Sequence, residues 1–98
     1  MTMISNPKVK LLEDGENLRI KQMSGDSGQF LPKHKASHES ILVVIEGECV
    51  IRFDDKDHVL AEGDSLVVPA NLWHQIEVKR DLRALHIMPK EIGFEFTK

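Results

Sequence analysis

The chain has little sulfur chemistry to call on. A single cysteine, Cys49, cannot build an intrachain disulfide framework, so the fold must rest on a packed core and suits a reducing cytoplasm. Long apolar stretches are missing as well. The longest run is the five residues from Ile41 to Ile45, far short of the roughly 20 that a membrane-spanning helix needs. There is no excess of basic charge. Thirteen Lys and Arg stand against 16 Asp and Glu, a net charge of −3, which offers no general attraction for nucleic acid, whose binding requires clustered cations on phosphates. The first residues, Met1 to Pro7, lack a basic region followed by an apolar stretch, so no secretory signal is expected. No segment holds a helical period for long.

What is present is an ordinary soluble balance of 41% apolar and 30% charged residues in 98, read as one domain spanning 1–98. A chain of this mass buries roughly 65% of its unfolded surface, a modest core that a dimer contact would supplement. Turn signals recur at short spacing, among them Gly15, Gly25 to Gly28, Gly47, Asp54 to Asp57, Gly63, Pro69 to Asn71 and Pro89. Between them lie short runs rich in Val, Ile, Leu and Phe, the signature of an all-β sandwich or barrel. The predicted strands are 9–12, 18–23, 29–31, 41–46, 48–53, 58–61, 65–68, 74–78, 82–88 and 93–96. Ile41 to Ile45 is apolar on both parities, so both faces must be covered, one by the interior and the other by a second layer or a partner subunit. Cys49 shares a parity with Ile51 and Phe53 and reads as core. His58, after the polar hairpin tip, reads as solvent-facing.

Two stretches carry the candidate chemistry. His34 and His38 precede the apolar strand that ends at Gly47; Gly63 opens a strand that stops at Pro69 and is followed by Asn71, Trp73 and His74. The arrangement brings distant histidines toward one cavity. It resembles the paired motifs of the cupin family, the first spanning about residues 28–47 and the second about 63–78. The resemblance implies a double-stranded β-helix, a jelly-roll barrel enclosing a cavity. It also places His34 and His74 at positions that bind metal in the family. Ala36 stands where the family has its second histidine, and Ser40 where it has a glutamate. Asn71 replaces a glycine, a tolerable change because Asn also adopts left-handed backbone angles.

His38 is outside the motif but shares strand parity with Ser40, Leu42 and Val44, so it is expected to face the interior. His86 is a further candidate: a hairpin centred on Arg80 and Asp81 would set His74 across from Ile87, with His86 beside it. The alternative is an edge histidine facing water. Glu39 points away from the interior on a regular strand. The expected metal ligands are thus His34, His38 and His74, with His86 as the further candidate, and imidazoles of this kind suit Zn, Fe, Ni, Mn or Cu. Ser40 and Trp73 are the candidate ligand-binding side chains, with plain rim packing as the alternative for Trp73. Lys33 and Lys35 are either a solvated loop or an attraction for an anion at the cavity mouth. No nucleophile elbow or phosphate loop competes.

Three functions follow as expectations: a metal-dependent cupin acting on a small organic molecule, as a dioxygenase or isomerase; a metal-free cupin module that binds or senses a small ligand; or a structural barrel filled by its own side chains. A homodimer is expected from the outer parity of Ile41, Val43 and Ile45 and from the aromatic C-terminal strand, whose Phe94 and Phe96 read as laid against another sheet, its own or a partner's; no nucleic-acid or membrane partner is expected.

Overall fold

Leu42 and Val44 are buried while Ile41 is exposed, because alternate residues of an extended strand face opposite sides of a sheet. The computed structural model describes residues 2–3 and 8–97. The N-terminal stretch read as carrying no signal lies mostly outside them. The described chain forms β1 (Thr2–Met3), β2 (Lys8–Asp14), β3 (Leu18–Gly25), β4 (Gln29–Phe30), β5 (His34–Ala36), β6 (Ser40–Phe53), β7 (Asp57–Ala61), β8 (Ser65–Val68), β9 (His74–Pro89) and β10 (Phe94–Phe96). No helix occurs among these residues. None, therefore, is long and apolar enough to cross a membrane.

The two longest strands organise the rest. β6 and β9 run antiparallel from Ile41 opposite Ile87 to Phe53 opposite His74. At one end they are flanked by β8, and by β3 with β2 beyond it. At the other they are flanked by β7, and by β4 and β5 with β10 beyond β5. The outcome is two sheet halves sharing the same two strands, folded over a common core. This is the double-stranded β-helix.

Gly47 makes the fold-over possible. Its φ is 88°, and a Cβ there would overlap the Asp81 carbonyl oxygen and lie 2.8 Å from that of Arg80. Only a residue without a side chain allows β6 to cross β9 so closely. Register shifts surround this point. Before it the buried residues of β6 are Ser40, Leu42 and Val44; after it they include Cys49 and Ile51. An extra residue has switched the inward parity, as a β-bulge does.

β9 keeps its parity throughout, with His74, Ile76, Val78, Leu82, Ala84 and Met88 all buried. This corrects the expected hairpin at Arg80 and Asp81. The segment contains no Gly, Pro or Asn to turn the chain, and its charges are met where they stand: Lys79 by Glu77 at 2.9 Å, Arg80 by Glu48 at 3.7 Å, and Asp81 Oδ1 by the Ser27 amide at 2.9 Å. Likewise residues 41–46 and 48–53 form one strand rather than two. Asn71 does adopt a left-handed φ of 63°. His58 is half-buried, with its ring edge-on to Phe53.

Candidate functional site

The inward side chains of β3, β5, β6 and β9 do not fill the barrel, and a cavity of about 560 Å³ remains. It falls within the range of small-molecule sites, about 300–1,000 Å³. His34, His74, His86 and Lys21 are its polar lining, among largely apolar walls.

β5 is paired to the start of β9 with His34 directly opposite His74. Residues opposite each other on antiparallel strands share a face, so both rings enter the cavity, their centroids 4.5 Å apart and edge-on. His34 Nδ1 lies 3.0 Å from the Pro32 carbonyl and His74 Nδ1 lies 2.9 Å from that of Leu72. A carbonyl can only accept, so each Nδ1 carries the proton and donates. In the neutral rings this leaves both Nε2 lone pairs as acceptors or ligands. Burial first, and then the neighbouring His34, hold the His74 imidazole below its usual pKa, partly offset by its bond to Leu72.

His86 enters from the other end of β9, opposite Leu42 on one side and Lys21 on the other. Its Nε2 shares a 2.8 Å hydrogen bond with Ser40 Oγ. Ser40 is buried and does not itself line the cavity. Its part is to hold His86. Desolvation, followed by the charges of His34, His74 and Lys21, pushes the His86 pKa down to about 4, so the ring is neutral at pH 7.

His38 does not join them. β6 begins only at Ser40, and the bend at residues 37–38 breaks the parity that would have aimed His38 inward. Ser37 ties that bend to the turn before β10: its amide donates to the Gly93 carbonyl and its Oγ accepts from the Gly93 amide. Ser37 Oγ also bonds His38 Nδ1 at 2.7 Å, and the far side of the ring faces Glu91 at 3.9 Å. Trp73 likewise sits outside the cavity lining, beneath the Lys35 ammonium at 5.1 Å. Lys35 also pairs with Glu95. Lys33 and Lys35 are absent from the lining as well, and Glu39 is exposed.

For metal, the residues present fit incompletely. His34 and His74 offer free Nε2 atoms with Nδ1 anchored on a carbonyl, the usual second-sphere arrangement of a ligating histidine. A catalytic zinc site takes three protein ligands. Among the described residues no three His, Cys, Asp or Glu side chains group closely enough to hold an ion. Ser40 stands at the position expected to hold a glutamate, and the third imidazole of the cavity, His86, is engaged by that serine.

The family profile of the cupin domain matches residues 12–88. The chain belongs to the cupin-domain family. Among proteins of curated function none matches it. A cupin superfamily protein from Desulfitobacterium hafniense is 26% identical, with a TM-score of 0.77 over 87% of this chain and 78% of that one. A cupin 2 domain-containing protein from Halorhodospira halophila superposes with a TM-score of 0.86 at 16% identity, over 96% of this chain and 72% of the other. The polyketide cyclase RemF from Streptomyces resistomycificus gives 0.84 at 16% identity over the same shares. The last two likenesses are of fold.

Sequence reasoning passed over one wall of this cupin's cavity. In β3 the apolar Leu18 and Ile20 suggest the inward parity, yet the structure turns Lys21 and Met23 inward and leaves Leu18 exposed. The register with β9, Lys21 opposite His86 and Met23 opposite Ala84, decides it. That pairing spans the length of the chain and leaves no local signal. The rim differs as well: the aromatic C-terminal strand, expected to lie against another sheet, borders the cavity. Phe94 and Phe96 of β10 line the cavity beside His34, ring centroids 5.6 and 5.5 Å away.

Proposed function

We propose that this cupin is a small-ligand-binding module that works without a resident metal. The observation that carries the reading is the open cavity with two oriented Nε2 acceptors and, among the described residues, no third metal donor grouped with them. Apolar walls supply affinity and a few placed polar groups supply orientation, the ordinary composition of a small-molecule site. A barrel filled by its own side chains would leave no such volume.

The metal-dependent reading, with dioxygenase or isomerase chemistry, is kept second. It is favoured by the anchored Nδ1 atoms of His34 and His74, and it requires His86 to leave Ser40 and turn its Nε2 toward them. Elemental analysis of untagged protein separates the two. On the first reading the protein carries no stoichiometric metal, and neither a chelator nor added Fe, Mn, Ni, Zn or Cu moves its melting temperature, while small organic molecules raise it. Near-stoichiometric metal that disappears in His74→Ala, with the fold retained, would overturn that reading.

We further propose a homodimer formed through the outer face of the sheet half that holds β3, β9, β6 and β8. Ile20, Ile87, Ile41 and Val67 stand side by side across these four strands, an apolar row on the face turned away from the core. Ile41 and Val67 are substantially exposed. A contiguous row of this kind is a docking signal where scattered apolar residues are not. Light scattering at micromolar concentration should give a dimer, and Ile41→Lys should give a monomer; a wild-type monomer refutes the proposal. A cytoplasmic location completes the reading, in keeping with the buried free thiol of Cys49.

A further inference from the structure

Lys21 breaks the pattern of its own strand. Apolar Leu18 and Ile20 go outward while an ammonium group goes to the wall of a mostly apolar cavity, an inversion that spends core surface on a charge. Lys35, Lys79 and Lys90 each pair with a carboxylate. Among the described residues no ion pair includes Lys21, and no Asp or Glu lines the cavity. A cation drawn partly out of water without a counter-charge is costly. Its field already reaches the site, since it helps keep the His86 ring neutral. An anion from outside the chain would supply the counter-charge at this wall of the cavity.

We propose that the cavity binds an organic acid, its carboxylate on the Lys21 ammonium and its planar apolar body against Phe94 and Phe96. This rests on the ligand-binding reading above and names the ligand class. The two phenylalanines contribute aromatic faces at the rim from a strand that, among the described residues, pairs with β5 alone. Other walls of the same cavity, such as Leu31 and Ile76, are apolar. The neutral imidazole of His86 adds no competing charge beside Lys21. An inorganic anion would leave the aromatic rim unused, and a neutral hydrocarbon would leave Lys21 unpaired.

Calorimetry of the full chain at pH 7 with 2-naphthoate and its neutral isostere 2-naphthamide tests this. The acid should bind at least ~10-fold more tightly than the amide, in keeping with a charge-assisted contact. Lys21→Met should bring the two within about twofold by weakening the acid alone, and Phe94→Ala should weaken both. Equal binding of acid and amide to wild type, or a preference that survives Lys21→Met, overturns the organic-acid assignment and leaves the ligand-binding reading standing. Binding of neither probe to wild type overturns both. Should Lys21→Met not fold, the wild type still decides: raising salt from about 0.05 to about 0.5 M must weaken the acid and spare the amide, and equal sensitivity refutes the proposal.

Discussion

The crossing of β6 over β9 and the cavity that opens beside it are built from the same two strands, yet they follow opposite rules. At the crossing, Val44, Cys49, Val78 and Ala84 have no exposed surface, and backbone passes backbone with room only for Gly47. In the cavity β9 supplies His74 and His86 while β6 supplies Leu42 and Ile51; His74 meets the His34 ring edge-on, and Lys21 stands opposite His86. The crossing is satisfied by its own atoms. The cavity is not, and its polar groups are held in orientation by neighbours that do no binding themselves: Pro32 and Leu72 carbonyls for two histidines, Ser40 for the third. Close packing is concentrated in one region, and open volume lined by oriented polar groups in the other.

The largest expected effect breaks the crossing. Gly47→Val meets a positive φ and two backbone carbonyls at once, neither of which can give way without moving β9. A loss on the order of 4 kcal/mol or more is expected, the range reserved for backbone strain and core disruption combined. Denaturant unfolding measures it; a loss below about 1 kcal/mol would mean that the strands can separate there at little cost.

The next effect probes the cavity by acid. His86 has a folded pKa of about 4 against about 6.5 unfolded, so between those values the unfolded chain binds a proton that the folded chain refuses. Stability is therefore full above about pH 6.5, falls as pH drops toward 4, and levels off for this group below that, a total on the order of 3 kcal/mol. His74, shifted in the same direction, adds to the slope. His86→Gln should flatten the curve over this window, while leaving carboxylate titration further down. An unchanged slope in that variant would show that His86 is protonated at little cost.

Smaller again is the effect of a polar atom placed at the crossing. Cys49 is fully buried and its thiol is pushed up to about 11, chiefly by desolvation, so it is inert packing. Cys49→Ser exchanges it for a hydroxyl among apolar neighbours and should cost about 2 kcal/mol, against under about 1.5 for Cys49→Ala. A serine variant more stable than the alanine one would show that water or a backbone group reaches this position.

The difference between the two regions also explains what could be read from the amino acids. Gly47, the apolar run after Ile41, Pro69 and the alternation through Cys49 and Ile51 are local signals, each forced by sterics or by the two-residue period, and the barrel follows from them. His34 and His74 were legible because a family pattern marks them. Lys21 was not, since its direction depends on the register with β9, and its neighbours Leu18 and Ile20 argue for the opposite face. The single strand β9 was hidden for a similar reason: the charges of Lys79 to Asp81 look like a loop until Glu48 and Glu77 are placed beside them. His38 and Trp73 were carried toward the cavity by extending strand and rim geometry past the point where it ends.

The smallest expected effect sharpens this last distinction. His38 and His34 stand four residues apart and look alike in sequence, but one is tethered to Ser37 beside Glu91 and the other enters the cavity. His38→Ala should change stability by no more than about 0.5 kcal/mol, as for surface substitutions away from special features, and should leave ligand affinity within error. His34→Ala removes an oriented acceptor and a ring in contact with Phe94 and Phe96. It should weaken binding about tenfold, the loss of one good polar contact. Parallel titrations of the two variants with one ligand decide the matter. If His38→Ala lowered affinity as much as His34→Ala, the 37–38 bend would have to rearrange on binding and bring His38 inward.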